Sequence, residues 1–245
     1  MIKITHICPH LDGFVSLTHV SKLVAITCKT IKMNILNAVK SKEITEITKD
    51  LTEIAIDQML QDGILKDIPF IGTIYNVYNL SQNVSNAFFT KKIIKFLLEF
   101  NDIPETERIE FITKIENKKE TQKVGEKILI ILNRFDDFDK ATILGKLFKL
   151  TIREEIEVST FTRLAHMVDK VYLQDLKELK NNYVKNLEFD TKHNLSQVGI
   201  LNQSIKDNRE HEEYAFKNTG RREFYPPKFE YKISDYGEIL KKHAI

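Results

Sequence analysis

The chain has 245 residues, 42% hydrophobic and 29% charged, with a formal net charge of +2, which is enough for a core of one or two domains and excludes a disordered polyelectrolyte or a globally cationic nucleic-acid binder. Eight glycines and five prolines over that length disfavour a sandwich or barrel and favour long helices with short connections. Cys8 and Cys28 are too few for a disulfide framework, MIKITHICPH lacks the features of a signal peptide, and no apolar run reaches membrane-spanning length, so a reducing cytoplasm is the expected compartment.

Residues 1–40 are rich in β-branched side chains, as from Phe14 to Thr30, and follow neither a period of 2 nor of 3.6, so they define no element. From Ser41, a potential N-cap, apolar residues recur at Ile44, Ile47, Leu51, Ile54, Ala55 and Met59, the spacing of a helix that buries one stripe and ends near Gly63. Pro69 suits the first turn of the next helix, where its missing N–H costs nothing. From Ile68 to Thr90 no Lys, Arg, Asp or Glu occurs; as a helix this span would reach roughly 35 Å, enough to cross a bundle core or a hydrocarbon layer. The lysine-flanked run Ile93 to Phe100 continues or follows it.

Pro104 marks another start, and Gln122 to Phe135 repeats the pattern with Val124, Ile128, Ile131, Leu132 and Phe135 on one side. Asp139 reads as the cap of a helix with the stripe Ala141, Leu144, Leu147 and Phe148. Ser159 reads as the opening of a longer one through Phe161, Leu164, Val168, Tyr172, Leu176 and Leu179. After Asn186 the character changes. A short helix from Asn194 stops at Gly199, a strand-like Ile200 to Ile205 follows, and a polar loop spans Lys206 to Pro227. Phe229, Tyr231 and Ile233 then alternate as in a half-exposed strand, before a last helix capped by Ser234. The expected organisation is an N-terminal segment over 1–40, an α-helical bundle over 41–185 and a small α/β tail over 186–245.

Chemistry-bearing patterns are sparse. The charge-free span has an apolar side with Phe70, Ile71, Ile74, Tyr75, Tyr78 and Phe88, and a polar side with Asn76, Asn79, Asn83 and Asn86. Three readings fit it: a central bundle helix whose amides bridge neighbours, a protein-binding surface, or a membrane-inserting element, the last opposed by the cost of its amides. Asp136, Asp137 and Asp139, with Glu154, Glu155 and Glu157, would hold a divalent cation only if the chain brought the two groups together; loops and caps explain them more simply. His6, Cys8 and His10, with His19 or Cys28, lack the paired spacing of a zinc site, so no metal is expected. His166 stands beside an apolar stripe, three residues before Asp169, and reads as a satisfied bundle histidine. Lys91, Lys92 and Lys95 form a basic edge. There is no Gly-rich phosphate loop, nucleophile elbow or HExxH, so neither a cofactor nor a catalytic role is expected.

Two resemblances add to this. Leu195, Val198, Gly199, Ile200 and Leu201, then Tyr231, Ile233, Ser234, Gly237 and Leu240, resemble the end of a winged-helix domain, in which a helix closes on a Gly-Ile-Leu signature before a wing. The resemblance implies DNA contact through Lys192, His193, Asn194 and Gln197 on the helix and Arg221 and Arg222 on the wing, opposed by Glu210, Glu212 and Glu213 in the same loop. GILKDIPFIGTIYNVY and KKIIKFL, KVGEKILIILNRFDDFDKATILGKLFK and FTRLAHMVDKVYLQDL resemble a family of small bacterial helical proteins without an assigned activity, some of which sit among mobile-element and defence genes. That resemblance implies a role in phage defence. The expectation is therefore a mainly α protein, a helical bundle with a winged-helix-like tail. It would act without catalysis, as an interaction or effector protein of a defence-type system, through a protein partner or self-association. A DNA-binding regulator and a membrane-permeabilising effector using residues 68–90 are the alternatives.

Overall fold

The computed structural model describes residues 35–42, 84–117, 121–206, 209–221 and 228–245. Among these the chain is mainly helical, with one two-stranded antiparallel sheet near the C-terminus. The helix expected after Ser41, most of the charge-free span and the His/Cys pattern at the N-terminus lie outside the described residues. In chain order the helices are α1 (Ile35–Lys40), α2 (Val84–Leu98), α3 (Glu105–Asn117), α4 (Thr121–Arg134), α5 (Phe138–Ile152), α6 (Val158–Lys170) and α7 (Leu173–Asn181). A 3-10 turn at Val184–Asn186 leads to α8 (Phe189–Gln197), β1 (Leu201–Lys206), α9 (Arg209–Thr219), β2 (Lys228–Ile233) and α10 (Asp235–Ile239), which widens into a π turn at Leu240–Ala244.

The centre of the described core is α5. Its sequence shows one clear stripe, yet the helix is enclosed on nearly all sides: Ala141, Leu144, Leu147 and Phe148 are buried, and so are Ile143, Leu150, Thr151 and Ile152. A helix buried around its circumference belongs in the middle of a bundle. Lys146 and Lys149 blur its amphipathic pattern because they are only half-buried and carry their charges outward, Lys149 to Asp102 at 2.6 Å. Phe148 is the hub, with ring centroids of Phe161 at 5.1 Å and of Phe96, Phe100 and Phe111 at 5.9 Å, mostly tilted or edge-on, as aromatic quadrupoles prefer. Gly145 sets the approach of α2: a Cβ there would lie 2.7 Å from the Phe96 carbonyl oxygen and 2.7 Å from Glu99 Cγ.

Helix boundaries depart from the expected caps in identifiable ways. Asp137, not Asp139, caps α5, accepting the Asp139 N–H at 2.7 Å in an extended conformation. Glu157 occupies the cap position of α6, and Ser159, already inside the helix, donates to its carboxylate at 3.1 Å. The single helix expected from Ser159 to Leu179 is two. Val171 is extended and buried, Leu173 is buried, and Tyr172 points to solvent, so the chain breaks between two helices whose stripes happen to stay in phase. α3 starts at Glu105 directly after Pro104, with Glu105 and Glu107 favourably placed in its first turn.

Arg108 is fully buried and joins two helix ends. Its guanidinium donates to the Phe100 carbonyl just past α2 at 3.1 Å and to the Ser41 carbonyl just past α1 at 3.0 Å, placing positive charge where carbonyl dipoles accumulate. Burial lowers its pKa, opposed by the nearby Glu105 carboxylate.

The tail is organised by one corner. α8 spans Phe189–Gln197 rather than starting at Asn194, and it closes on Gly199 at φ +82°: the Ile200 N–H reaches the Leu195 carbonyl at 2.9 Å and the Gly199 N–H the Ser196 carbonyl at 3.1 Å. This paired closure requires a left-handed residue, which glycine supplies without strain, and it brings the buried Ile200 onto the buried Leu195. Ser234 then does three things: its N–H donates to the Ile200 carbonyl, its hydroxyl donates to the Gly199 or Ile200 carbonyl at 2.8 or 2.9 Å, and the same oxygen accepts the Gly237 N–H at 3.1 Å. A Cβ on Gly237 would fall 2.3 Å from the Ile200 carbonyl oxygen. The π turn that follows packs on α5 through Leu240 and Ala244, so bundle and tail share one hydrophobic core. The segment expected as a polar loop contains α9, which buries Ala215 and ends at Gly220, φ +67°.

Candidate interaction surface

β1 and β2 pair antiparallel, Leu201 opposite Ile233, Gln203 opposite Tyr231 and Ile205 opposite Phe229. Directly opposed residues lie on the same side of a sheet, so these pairs form one face of the hairpin, and Asn202/Lys232, Ser204/Glu230 and Lys206/Lys228 form the other. The first face is apolar along most of its length but buried only at its base. Leu201 is enclosed, whereas Ile205 is 66% exposed and Phe229 49%. α8 extends this face sideways: Phe189, 60% exposed, meets Tyr231 edge-on at 6.4 Å, and His193 lies flat against Phe189 at 6.2 Å. Ser196 on the same helix reaches Gln203 at 3.3 Å. Ile205, Phe229, Tyr231, Phe189 and His193 thus make a continuous surface with an apolar body and a polar rim. Solvated apolar side chains gathered in this way mark an interaction site more often than chance, unlike single exposed ones.

The residues expected to read DNA divide between two environments. His193 is on the aromatic surface, and Gln197 and Arg221 are exposed. Lys192 is turned back, donating to the Lys185 carbonyl at 3.1 Å, and Asn194 hydrogen-bonds the buried Asp175 carboxyl. Desolvation raises the pKa of Asp175, with Glu178 adding to the effect and the Asn194 bond opposing it. Arg222 lies outside the described residues. Of the surface expected on the charge-free span, only Phe88 is described: it is 50% exposed and meets the Phe138 ring at a tilt, centroids 5.7 Å apart. Phe70, Ile74, Asn76, Tyr78, Asn79 and Asn83 lie outside the described residues. No described helix is long and apolar enough to cross a membrane.

The basic edge Lys91, Lys92 and Lys95 is not a solvated helix face. Lys91 and Lys92 are buried, Lys91 lying over the Phe138 ring at 4.7 Å and Lys92 donating to the Phe135 carbonyl. Burial lowers the pKa of Lys92, partly offset by Asp136. Asp136 accepts from the buried Lys140 at 2.7 Å, which holds its carboxyl below the usual range; Asp139 faces Lys177 at 3.1 Å and Lys95 at 3.9 Å. The acidic groups at 136–139 and 154–157 stand at opposite ends of α5, about 20 Å apart at 1.5 Å per residue, so they form no common cation site. Among the described residues no three His, Cys, Asp or Glu side chains are placed to share a metal ion. His166 is exposed rather than enclosed in the bundle, and Asp169 pairs with Arg134 at 2.6 Å instead.

Sequence reasoning placed Ile205 and Phe229 only as strand positions and did not single out Phe189, so none of the three was expected on an exposed surface. The signal that could have found them is the matched alternation in two strands, whose outer positions no described element covers. Comparison of the chain with protein families, curated protein sequences and solved structures finds no match.

Proposed function

We propose that the protein is a non-enzymatic interaction or effector protein that engages a protein partner through the aromatic face of its C-terminal hairpin and α8, in the defence-type setting that the sequence resemblance implies. The observation that carries this is the exposure of Phe189, Ile205 and Phe229 on one continuous surface, anchored to the core through the Ser234–Gly237 corner. Aromatic and aliphatic anchors ringed by polar groups are the usual composition of an interface centre. A photo-crosslinking residue placed at Phe229 in producing cells should yield a discrete adduct with a partner or a second copy, whereas the same group at the exposed Lys180 should not. Equal or absent adducts at both positions would remove the proposal.

A second reading, a winged-helix DNA-binding regulator, is favoured by α8 leading into β1 and by the antiparallel return of β2, with α9 standing where a wing loop would be and with Lys206, Lys228 and Lys232 on the polar face of the strand pair. Phosphate contacts from such a wing would make binding fall steeply with salt. Gel shifts with duplex DNA at low ionic strength test it, and Lys206→Gln with Lys228→Gln should abolish the shift. Absence of any shift from the unmodified protein at low salt discards it.

A further inference from the structure

Away from the tail, a groove of ≈ 580 Å³ lies between α4 and α6. Lys123 and Lys127 stand four apart on α4, and Arg163 and His166 three apart on α6, so each pair shares a helix face and all four reach the same groove. Ser159 and Thr162 add hydroxyls, over Val124 and Val158. None of the described lining residues is acidic. Cations elsewhere on these helices are matched: Lys114, in the adjoining cavity, to Glu154 at 2.6 Å, and Arg134, at the end of α4, to Asp169 of α6 at 2.6 Å. Lys123, Lys127, Arg163 and His166 form no ion pair among the described residues. The Arg163 guanidinium lies over the Tyr236 ring at 5.4 Å, a cation–π contact that helps hold it at the groove.

Clustering like charges without counterions opposes folding, and an anionic ligand would offset that cost. The groove far exceeds a single inorganic ion and falls within the size range of small-molecule sites. It meets a second cavity of ≈ 380 Å³ at Val158 and Ser159. That cavity is different in kind: Phe111, Ile115 and Ile156 give it apolar walls, Lys114 and Glu154 neutralise each other across its rim, and Glu157 disfavours a phosphate. The pairing of a cationic compartment with an apolar one that carries, among the described residues, no unpaired cation and one unpaired carboxylate, Glu157, orients a ligand that is anionic at one end only.

We propose that this double cavity binds an organic di- or triphosphate of the nucleotide class. Its phosphates lie among Lys123, Lys127, Arg163 and His166, and its uncharged portion lies against Phe111, Ile115 and Ile156, with ligand hydroxyls donating to Glu157. Calorimetric titration of the full chain at low salt tests this with ATP, pyrophosphate, adenosine and sulfate as probes. ATP should bind most tightly, pyrophosphate more weakly, and adenosine and sulfate not measurably. Lys127→Gln with Arg163→Gln should weaken ATP by at least about tenfold without lowering the thermal melt of the ligand-free protein. If that pair fails to fold, Lys123→Gln with His166→Gln should give the same loss. The proposal is overturned if ATP and pyrophosphate both fail to bind at millimolar concentration. It is equally overturned if sulfate matches pyrophosphate, if folded variants bind like the parent, or if only duplex DNA or vesicles bearing phosphorylated lipid headgroups bind through these residues.

Discussion

Gly145→Ala inverts the usual effect of its substitution type. In a helix interior, alanine is favoured over glycine by about 1 kcal/mol, so at an open position this change stabilises. Here the added carbon would sit 2.7 Å from the backbone carbonyl oxygen of Phe96 and 2.7 Å from Glu99 Cγ. Glu99 is a flexible side chain and can yield, but the carbonyl belongs to α2, so relief requires α2 and α5 to separate. That loosens the contacts of Phe96 and Phe100 with Phe148, and overpacking of this sort costs about 1–3 kcal/mol. After subtracting the helix-propensity gain, a net loss of up to about 2 kcal/mol is expected, or up to about 8 °C in Tm for a chain of this size. Urea and thermal unfolding followed by circular dichroism measure it. Adding Glu99→Ala should leave the loss largely unchanged, since the carbonyl contact remains. A Gly145→Ala protein more stable than the parent by about 1 kcal/mol, the gain of an open helix position, would refute the placement of α2 on α5.

Three further outcomes follow from particular contacts. Arg108→Met should cost about 1–3 kcal/mol in urea unfolding, because the carbonyls of Phe100 and Ser41 lose a charged donor; an unchanged midpoint would mean that the guanidinium joins nothing. Ser234→Ala should cost about 1–2 kcal/mol and raise amide exchange through the last helix, since a cap and the tie to the Gly199–Ile200 turn are lost together; exchange unchanged there would contradict the corner. Asp175→Asn should stabilise the protein at pH 7. Burial raises the folded-state pKa of Asp175, so the folded chain takes up this proton before the unfolded chain does; the parent recovers stability as pH falls through that raised value, and the gap to the variant closes below the unfolded value of about 3.9. A gap that widens on acidification would reverse the assigned sign.

The helical class and most described elements were legible because their buried residues recur at helical spacing: Val124, Ile128, Ile131 and Leu132 on α4 are all buried, as expected. The strands were legible from alternation and the closing turn from Gly199. What escaped depends on which neighbour covers a side chain, and periodicity does not carry that information. Tyr172 fits the apolar stripe in number and is exposed, because the chain turns at Val171. Lys91, Lys92 and Lys140 look solvated by type and are buried, because carbonyls, a ring or a carboxylate receive their charges. α9 was missed because REHEEYAFKNT is polar apart from a short apolar group, and its clearest end signal, Gly220, was read as part of a loop. The interaction surface escaped for the same reason: Phe229 sits on the apolar side of a half-exposed strand, the side that alternation assigns to the core, and nothing in the sequence says that no described element covers it.

The most direct measurement uses a crosslinking group at Ile205 in a chain carrying Phe189→Ser and Phe229→Ser, with unfolding free energy determined on the same protein. Because these side chains are largely solvated, stability should stay within about 0.5 kcal/mol of the parent while the crosslinked partner disappears. Retention of the adduct, or a stability loss of about 2 kcal/mol or more, would show that the aromatic face is not a docking surface but part of the packing of the fold.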